Sequence, residues 1–236
     1  MMKTRIIAHR GLSSIAPENS LSAIKLAAKE DFYGIEIDVH ATKDRKFVVF
    51  HDHTLDRMTN AKGLINEFTY DELKELKLTS GNNIEKYQNE KIPLLHEVIE
   101  ICKNGNKEII LEIKNVNDNE DIENIISELK GLNYHEKTTI ISFNLEYLLY
   151  VKNHYPEFSL QYLVNEIDQS VINVCRNSRI DIDVNYGSLT KEQIDECHKN
   201  KIKVNAWTID DLELIKKFIG FNIDYITTNI KYNNEK

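Results

Sequence analysis

Short β-branched runs alternate along the chain with stretches whose apolar positions recur every three to four residues. That alternation predicts a parallel sheet with crossover helices. The run from Arg5 to His9 reads as the first strand. Ser20 to Lys29 reads as a helix, with Asn19 or Ser20 as N-cap and Leu21, Ile24 and Ala28 on one face. Gly34 to His40 reads as the second strand. No helical pattern follows it. Instead Thr42-Lys43-Asp44-Arg45-Lys46 turns the chain and Phe47 to Phe50 makes a further strand, a hairpin excursion from the main sheet. From His51 to about Ile92 the sequence is polar and irregular, with one short helix near Tyr70 to Leu76.

The regular alternation resumes at Pro93, which suits a first helical turn, and Leu94, Leu95, Val98, Ile99 and Cys102 form one apolar face. Further strands are predicted at Glu108–Lys114, Thr138–Phe143, Phe158–Leu163, Ile180–Val184, Lys203–Thr208 and Tyr225–Thr228. Helical patterns separate them, among them Asn119–Leu129 and those carrying Leu145 to Val151, Ile167 to Val174, Leu189 to Ile194 and Leu212 to Phe218. With the hairpin strand set aside, eight strands and their crossovers predict an α/β fold, a (β/α)8 TIM barrel with a small insertion after the second strand. Residues 1–236 read as one domain with the insertion at about 46–92. The closing Lys-Tyr-Asn-Asn-Glu-Lys tail reads as a frayed end.

Hydrophobic residues make up 41% of the chain and charged ones 29%, the balance of an ordinary globular protein. The net charge of −8 argues against a nucleic-acid or anionic-membrane surface but leaves room for a local basic pocket. Cys102, Cys175 and Cys197 are scattered without Cys-x-x-Cys spacing, and Cys102 reads as a reduced core thiol. No apolar stretch is long enough for a signal peptide or a membrane span, so a cytoplasmic enzyme is expected. The oligomeric state is left open.

Barrel active sites lie at the C-terminal ends of the strands. His9 and Arg10 end the first strand, Glu36 and Asp38 share one face of the second, Glu112 and Lys114 share one face of the next, and Asn205 and Trp207 lie near the end of another. Charged groups pointing into a barrel are costly unless they meet a partner or a metal. Three converging carboxylates repel one another, and a hard divalent cation removes that repulsion; oxygen ligands favour Mg2+ or Ca2+ over zinc. Arg10 and Lys114 suit a phosphate. His9 and His51 suit general base and general acid. Taken singly, His-Arg-Gly occurs by chance, Glu-x-Asp can be a buried ion-pair site, and Trp207 can be core packing rather than a wall for a small carbon skeleton. His40 shares phase with Glu36 and Asp38 and either faces the site or caps its strand. Asp52 either orients an imidazole or turns outward, and Asn19 either caps a helix or touches substrate. His53, His96, His135, His154 and His198 are given no role.

Taken together, His9-Arg10-Gly11, Pro17-Glu18-Asn19-Ser20, Gly34-Ile35-Glu36-Ile37-Asp38-Val39, Thr42-Lys43-Asp44, His51-Asp52, Leu111-Glu112-Ile113-Lys114 and Asn205-Ala206-Trp207 span nearly the whole chain. The ordered set resembles the glycerophosphodiester phosphodiesterase family. The resemblance implies hydrolysis of a small-molecule glycerophosphodiester to sn-glycerol 3-phosphate and an alcohol. It gives Glu36, Asp38 and Glu112 the metal and His9 and His51 the catalytic protons; on such a substrate Arg10 and Lys114 are expected to bind the phosphate and Trp207 to wall the glycerol carbons. It further implies first attack by the neighbouring glycerol hydroxyl, through a cyclic phosphate. Arg45 stands where the family usually has glycine, and Ser20 where threonine is commoner. The alternatives are a related phosphodiesterase acting on lysophospholipid or phosphoinositide head groups, a metal-dependent sugar isomerase, and a catalytically silent barrel. The polar stretch from Asp52 to Asn89 disfavours a long acyl chain, and the two cations beside the acids disfavour the isomerase.

Overall fold

The structure is a computed structural model that describes residues 4–232. Nine strands form one sheet. These are β1 (Arg5–Ala8), β2 (Gly34–Ala41), β3 (Phe47–Val49), β4 (Glu108–Asn115), β5 (Thr138–Ser142), β6 (Ser159–Val164), β7 (Asp181–Asn185), β8 (Val204–Trp207) and β9 (Tyr225–Thr228). The order β1-β9-β8-β7-β6-β5-β4-β2, closed by pairing of β1 with β2, is a barrel of eight parallel strands. The hairpin strand β3 runs antiparallel on β2 and stays outside the closure, as the chain pattern predicts.

Eight α-helices complete the described chain: α1 (Leu21–Lys29), α2 (Tyr70–Leu73), α3 (Leu95–Asn104), α4 (Asn119–Gly131), α5 (Leu145–His154), α6 (Gln169–Ser178), α7 (Lys191–Lys199) and α8 (Leu212–Gly220). Their apolar stripes close over the outer face of the barrel, so that Ile24, Ile99, Ile125 and Ile215 become fully buried. Capping settles the boundaries. Ser20 accepts the Ala23 N–H and starts α1, which leaves Asn19 free for other work. Helix α2 is shorter than its pattern, ending at Leu73, and is held by a Thr69–Glu72 capping box. Pro93 lies outside α3 rather than in its first turn. Its carbonyl accepts from the Val49 N–H at 2.8 Å, and Leu94 bridges Val48, so this segment extends the hairpin strand and closes the neck of the insertion.

The insertion folds around its own small core of Phe50, Leu55, Met58, Ile65, Leu73 and Leu78. It is latched to the loop after β1 by Asn82 to the Ser13 carbonyl at 2.7 Å and Asn83 to the Ile15 carbonyl at 2.9 Å. Arg45 sits in the left-handed region at φ 56°, where a glycine is the easier residue. Its guanidinium is bound by Asp118, the N-cap of α4, and by Asp121 at 2.8 Å, which ties this turn to the next helix. No helix among the described residues is long and apolar enough to cross a membrane. Cys102, Cys175 and Cys197 are buried and unpaired. Of the tail expected to fray, residues 231–236, Lys231 pairs with Glu30 and Tyr232 packs against the core, and the remainder, 233–236, lies outside the described residues.

Inside the barrel, Ile7, Ile110, Ile141 and Leu163 make an apolar plug. The strands β6 to β9 add a polar set, Gln161, Asp183, Asn205 and Thr227, all buried. Asn205 donates to Thr227 Oγ1 at 3.1 Å and to Gln161 Oε1 at 3.4 Å. Above this layer the interior opens at the C-terminal rim.

Candidate active site

The first rim element is a tight turn after β1, one residue earlier than the apolar run suggests. Arg10 and Gly11 both take positive φ, 55° and 79°, and a Cβ on Gly11 would lie 2.6 Å from the Ala23 carbonyl carbon. Only glycine lets this turn rest against α1. The turn aims the Arg10 backbone N–H at Glu36 Oε2, 3.0 Å away.

The parallel register places Asp38 of β2 directly beside Glu112 of β4, and alternation puts Glu36 on the same face. One oxygen from each of Glu36, Asp38 and Glu112 lies within 4.8 Å of the others, and all three residues are buried. Their surroundings split their acidities. Burial would raise Asp38, which is 1% exposed, but Arg10, His51 and Lys114 hold it down at about 2. Burial and Asp38 push Glu112 up to about 8 and Glu36 well above the usual carboxylate range. Without a cation, Asp38 is therefore the ionised acid at neutral pH, while Glu112 and Glu36 are shifted toward their neutral forms. The cluster is an all-oxygen set that could hold a divalent metal, whose charge would favour the ionised forms.

Two cations and an amide flank the acids. Arg10 Nε lies 3.4 Å from Asp38, Lys114 Nζ lies 3.1 Å from Glu112 and 3.7 Å from Asp38, and Asn19 donates to Asp38 Oδ2 at 2.8 Å. Asn19 is thus a partner of the acid cluster and not a helix cap.

His9 and His51 face the same cavity, which Glu36, Glu112, Lys114 and Trp207 also line. Each ring is fixed through Nδ1. His9 Nδ1 lies 2.8 Å from Asn229 Oδ1, and Asn229 is oriented by donating through Nδ2 to Asp210 at 2.6 Å. His51 Nδ1 lies 2.7 Å from Asp52 Oδ1. With an acceptor at each Nδ1, the neutral rings keep the proton there and leave Nε2 as the free lone pair. His9 Nε2 accordingly lies near Glu36, at 3.9 Å. Burial, with Arg10 beside it, lowers His9 to about 4; burial also lowers His51, where Asp38 and Asp52 oppose the shift. His40 is buried beneath this set. Its Nε2 lies 3.2 Å from the His51 carbonyl and its ring meets His53 edge-on, so it supports the backbone of His51 and does not line the cavity.

Trp207 stands at the end of β8 with Phe143 edge-to-face against it at 5.8 Å, an aromatic wall above Ile141 and Leu163. His9, Arg10, Asn19, Glu36, Asp38, His51, Asp52, Glu112, Lys114 and Trp207 meet at this one rim, whereas Asn205 lies in the buried polar layer below it and His40 beneath His51. Several contributors were not singled out. Asn229 and Asp210 come from the loops after the neighbouring strands β9 and β8, and pairing of β9 with β1 brings Asn229 to His9. Asp183 is 2% exposed and lines the cavity; burial, with Glu112 nearby, pushes its carboxyl well above the usual range. Arg57 of the insertion binds Asp52 at 2.6 Å and Glu18 at 2.6 Å, while Glu18 holds Arg10 at 2.9 Å. That chain of contacts couples the insertion to both His51 and Arg10. Arg57→Ala is expected to lower kcat/KM roughly tenfold and to shift the His51 limb of the pH–rate profile. The Tm should change little, because exposed ion pairs contribute little to stability. An unchanged profile would show that Arg57 positions neither group.

A barrel with acids, cations and paired histidines on its C-terminal rim is that of an enzyme built to act on a phosphorylated small molecule. A sequence profile of the glycerophosphoryl diester phosphodiesterase family matches residues 9–230, and the chain belongs to that family. It is 35% identical over 232 residues to a glycerophosphodiester phosphodiesterase of Caldanaerobacter subterraneus subsp. tengcongensis, covering 97% of this chain and 95% of the relative. The fold superposes with a TM-score of 0.90 on a phosphodiesterase of Oleispira antarctica solved in complex with the product sn-glycerol-3-phosphate. The two are 30% identical over 96% of this chain and 93% of the other. A glycerophosphodiester phosphodiesterase of Parabacteroides distasonis superposes with a TM-score of 0.82 at 27% identity, over 96% and 93% of the two chains.

Proposed function

We propose that this chain hydrolyses glycerophosphodiesters to sn-glycerol 3-phosphate and an alcohol, with one Mg2+ or Ca2+ held by Glu36, Asp38 and Glu112. The observation that carries this reading is the convergence of three buried carboxylates within 4.8 Å, flanked by Arg10 and Lys114, in a cavity shared with two imidazoles. The cation, when bound, neutralises the carboxylates and polarises a phosphate oxygen. Arg10 and Lys114 bind the remaining phosphate charge, and Glu18 keeps the guanidinium turned inward. One imidazole, neutral with its Nε2 lone pair free, takes the proton of the attacking hydroxyl, and the other, entering as the imidazolium, gives its Nε2 proton to the departing alkoxide. The attacking hydroxyl is the glycerol group next to the phosphate, and water then opens the cyclic phosphate by the same pair acting in reverse. Trp207 packs the glycerol carbons and keeps bulk water from that face.

Support comes from the product held by the Oleispira antarctica relative. The buried free thiols fit a reducing, cytoplasmic setting. We read residues 1–236 as one catalytic domain serving glycerol and phospholipid turnover, with the insertion supplying His51, Asp52 and Arg57. A coupled glycerol 3-phosphate assay over several glycerophosphodiesters tests this. Turnover is expected with each head group, lost on chelation and restored by Mg2+ or Ca2+. Absence of glycerol 3-phosphate from every diester, or full activity in metal-stripped buffer, would overturn it.

A further inference from the structure

The barrel interior holds one acid that the hydrolysis above leaves without a role. Asp183 projects from the middle of β7, level with Leu163 of β6 and Asn205 of β8 in the strand register. It is 2% exposed, and its Oδ1 is buried with no hydrogen-bond partner. The neighbouring Asn205 amide acts on the Asp183 carboxyl, but its own hydrogen bonds run to Gln161 and Thr227 and Oδ1 stays without a partner. Native interiors pair their buried polar atoms, so an orphaned acceptor that lines a cavity marks a place where a ligand supplies the donor. The cavity wall around Asp183 is otherwise apolar on one side, with Ile141, Leu163 and the Trp207 ring. Trp207 Nε1 is a second buried polar atom without a partner on the same wall. An orphaned acceptor and an orphaned donor together match a hydroxyl, which gives one hydrogen bond and accepts another.

We propose that Asp183 is a specificity-determining residue that accepts a hydrogen bond from the terminal hydroxyl of the glycerol moiety, with Trp207 Nε1 as the matching donor. This rests on the glycerophosphodiester reading above. The phosphate lies between Arg10 and Lys114, and the hydroxyl next to it lies at the carboxylate cluster. The terminal hydroxyl is the polar group that then remains to be placed, and the Trp207 side of the cavity offers it Asp183. A phosphodiester of propane-1,2-diol keeps the attacking hydroxyl and lacks only the terminal one. A site built to hydrogen-bond a hydroxyl rejects the analogue lacking it, because its own polar groups stay unpaired.

The test compares glycerophosphocholine with the propane-1,2-diol analogue of the same head group, in wild-type enzyme, Asp183→Leu and Asp183→Asn. Wild type should favour glycerol by roughly 10²-fold or more in kcat/KM, with the loss mainly in KM. Asp183→Leu should bring the ratio to within about threefold of unity. Asp183→Asn, which still presents an acceptor, should keep at least roughly tenfold selectivity. A wild-type ratio near unity, or an Asp183→Leu ratio equal to wild type, overturns the role of Asp183 while leaving the phosphodiesterase reading intact. Turnover of neither diester by wild type overturns both. If Asp183→Leu does not fold, a crystal structure of wild type with sn-glycerol 3-phosphate decides. Asp183 should then lie roughly 3 Å from the terminal hydroxyl, and a glycerol turned away from it overturns the proposal.

Discussion

Asp38→Asn is expected to cost more activity than any other single change in this chain, lowering kcat by at least roughly 10³-fold and abolishing cation binding. Asp38 is the one member of the acid cluster that its surroundings keep ionised, held at about 2 by Arg10, His51 and Lys114 against the cost of burial. An amide at this position is nearly the same size but brings no charge for a cation. It also leaves Arg10 and Lys114 without their shared counter-ion. Removing one partner from a buried ion pair costs roughly 3–5 kcal/mol, so the denaturation midpoint should fall as well. Calorimetric titration with Mg2+ and Ca2+ checks the first effect and a urea melt the second. Retention of cation affinity in Asp38→Asn would remove this residue from the metal site.

The same cluster predicts the pH dependence of cation binding in wild type. Glu112 is raised to about 8, so at pH 7 it keeps a proton in the cation-free protein, and burial and Asp38 shift Glu36 in the same direction. A cation must displace the protons that these shifts retain. Apparent affinity should therefore rise with pH up to about 8 and level off above the highest of the displaced protons. Titrations in two buffers of different ionisation enthalpy should show proton release at pH 7. Affinity that does not vary with pH would mean that the acids are already ionised before the cation binds.

The second large effect falls on the imidazoles. His9→Ala and His51→Ala are each expected to lower kcat by roughly 10²–10⁴-fold with a much smaller change in KM. The double variant should lose less than the product of the two, because both protons move in one reaction path. Both rings offer Nε2 to the cavity, one backed by an amide and the other by a carboxylate. A 4-nitrophenyl ester of glycerol phosphate separates their roles. Its leaving group departs without a proton, so the variant lacking the general acid should recover most of its rate on that substrate, while the variant lacking the base should not. Near wild-type kcat in either single variant would strike that histidine from the reaction.

Much of this architecture is written in local pattern. The spacing of apolar residues places all eight barrel strands within about one residue of their ends, and the missing helix after β2 marks the hairpin excursion that the structure shows. These features are legible because alternation on a strand and periodicity on a helix are short-range consequences of backbone geometry. The same rule puts Glu36 with Asp38, and Glu112 with Lys114, on shared faces before any tertiary contact is known. Helix ends were less legible. Pro93 reads as a helix start, yet it joins the hairpin strand, because a backbone partner at Val49 outweighs its local preference. The insertion reads as polar and irregular apart from one short helix because its apolar residues are too sparse to show a period, although they meet in one small core.

What the sequence by itself determined was the order of elements, the barrel, and the residue types of the rim: three acids, two cations, two histidines and one tryptophan. What only the tertiary structure decided was which groups complete them. Barrel closure brings Asn229 to His9, the insertion's fold brings Arg57 to Asp52 and Glu18, and strand register leaves Asp183 facing the cavity with an unpaired oxygen. The division has a physical reason. A side chain's direction follows from its own backbone, but its acidity, tautomer and unmet hydrogen bonds depend on neighbours up to 220 positions away in the chain.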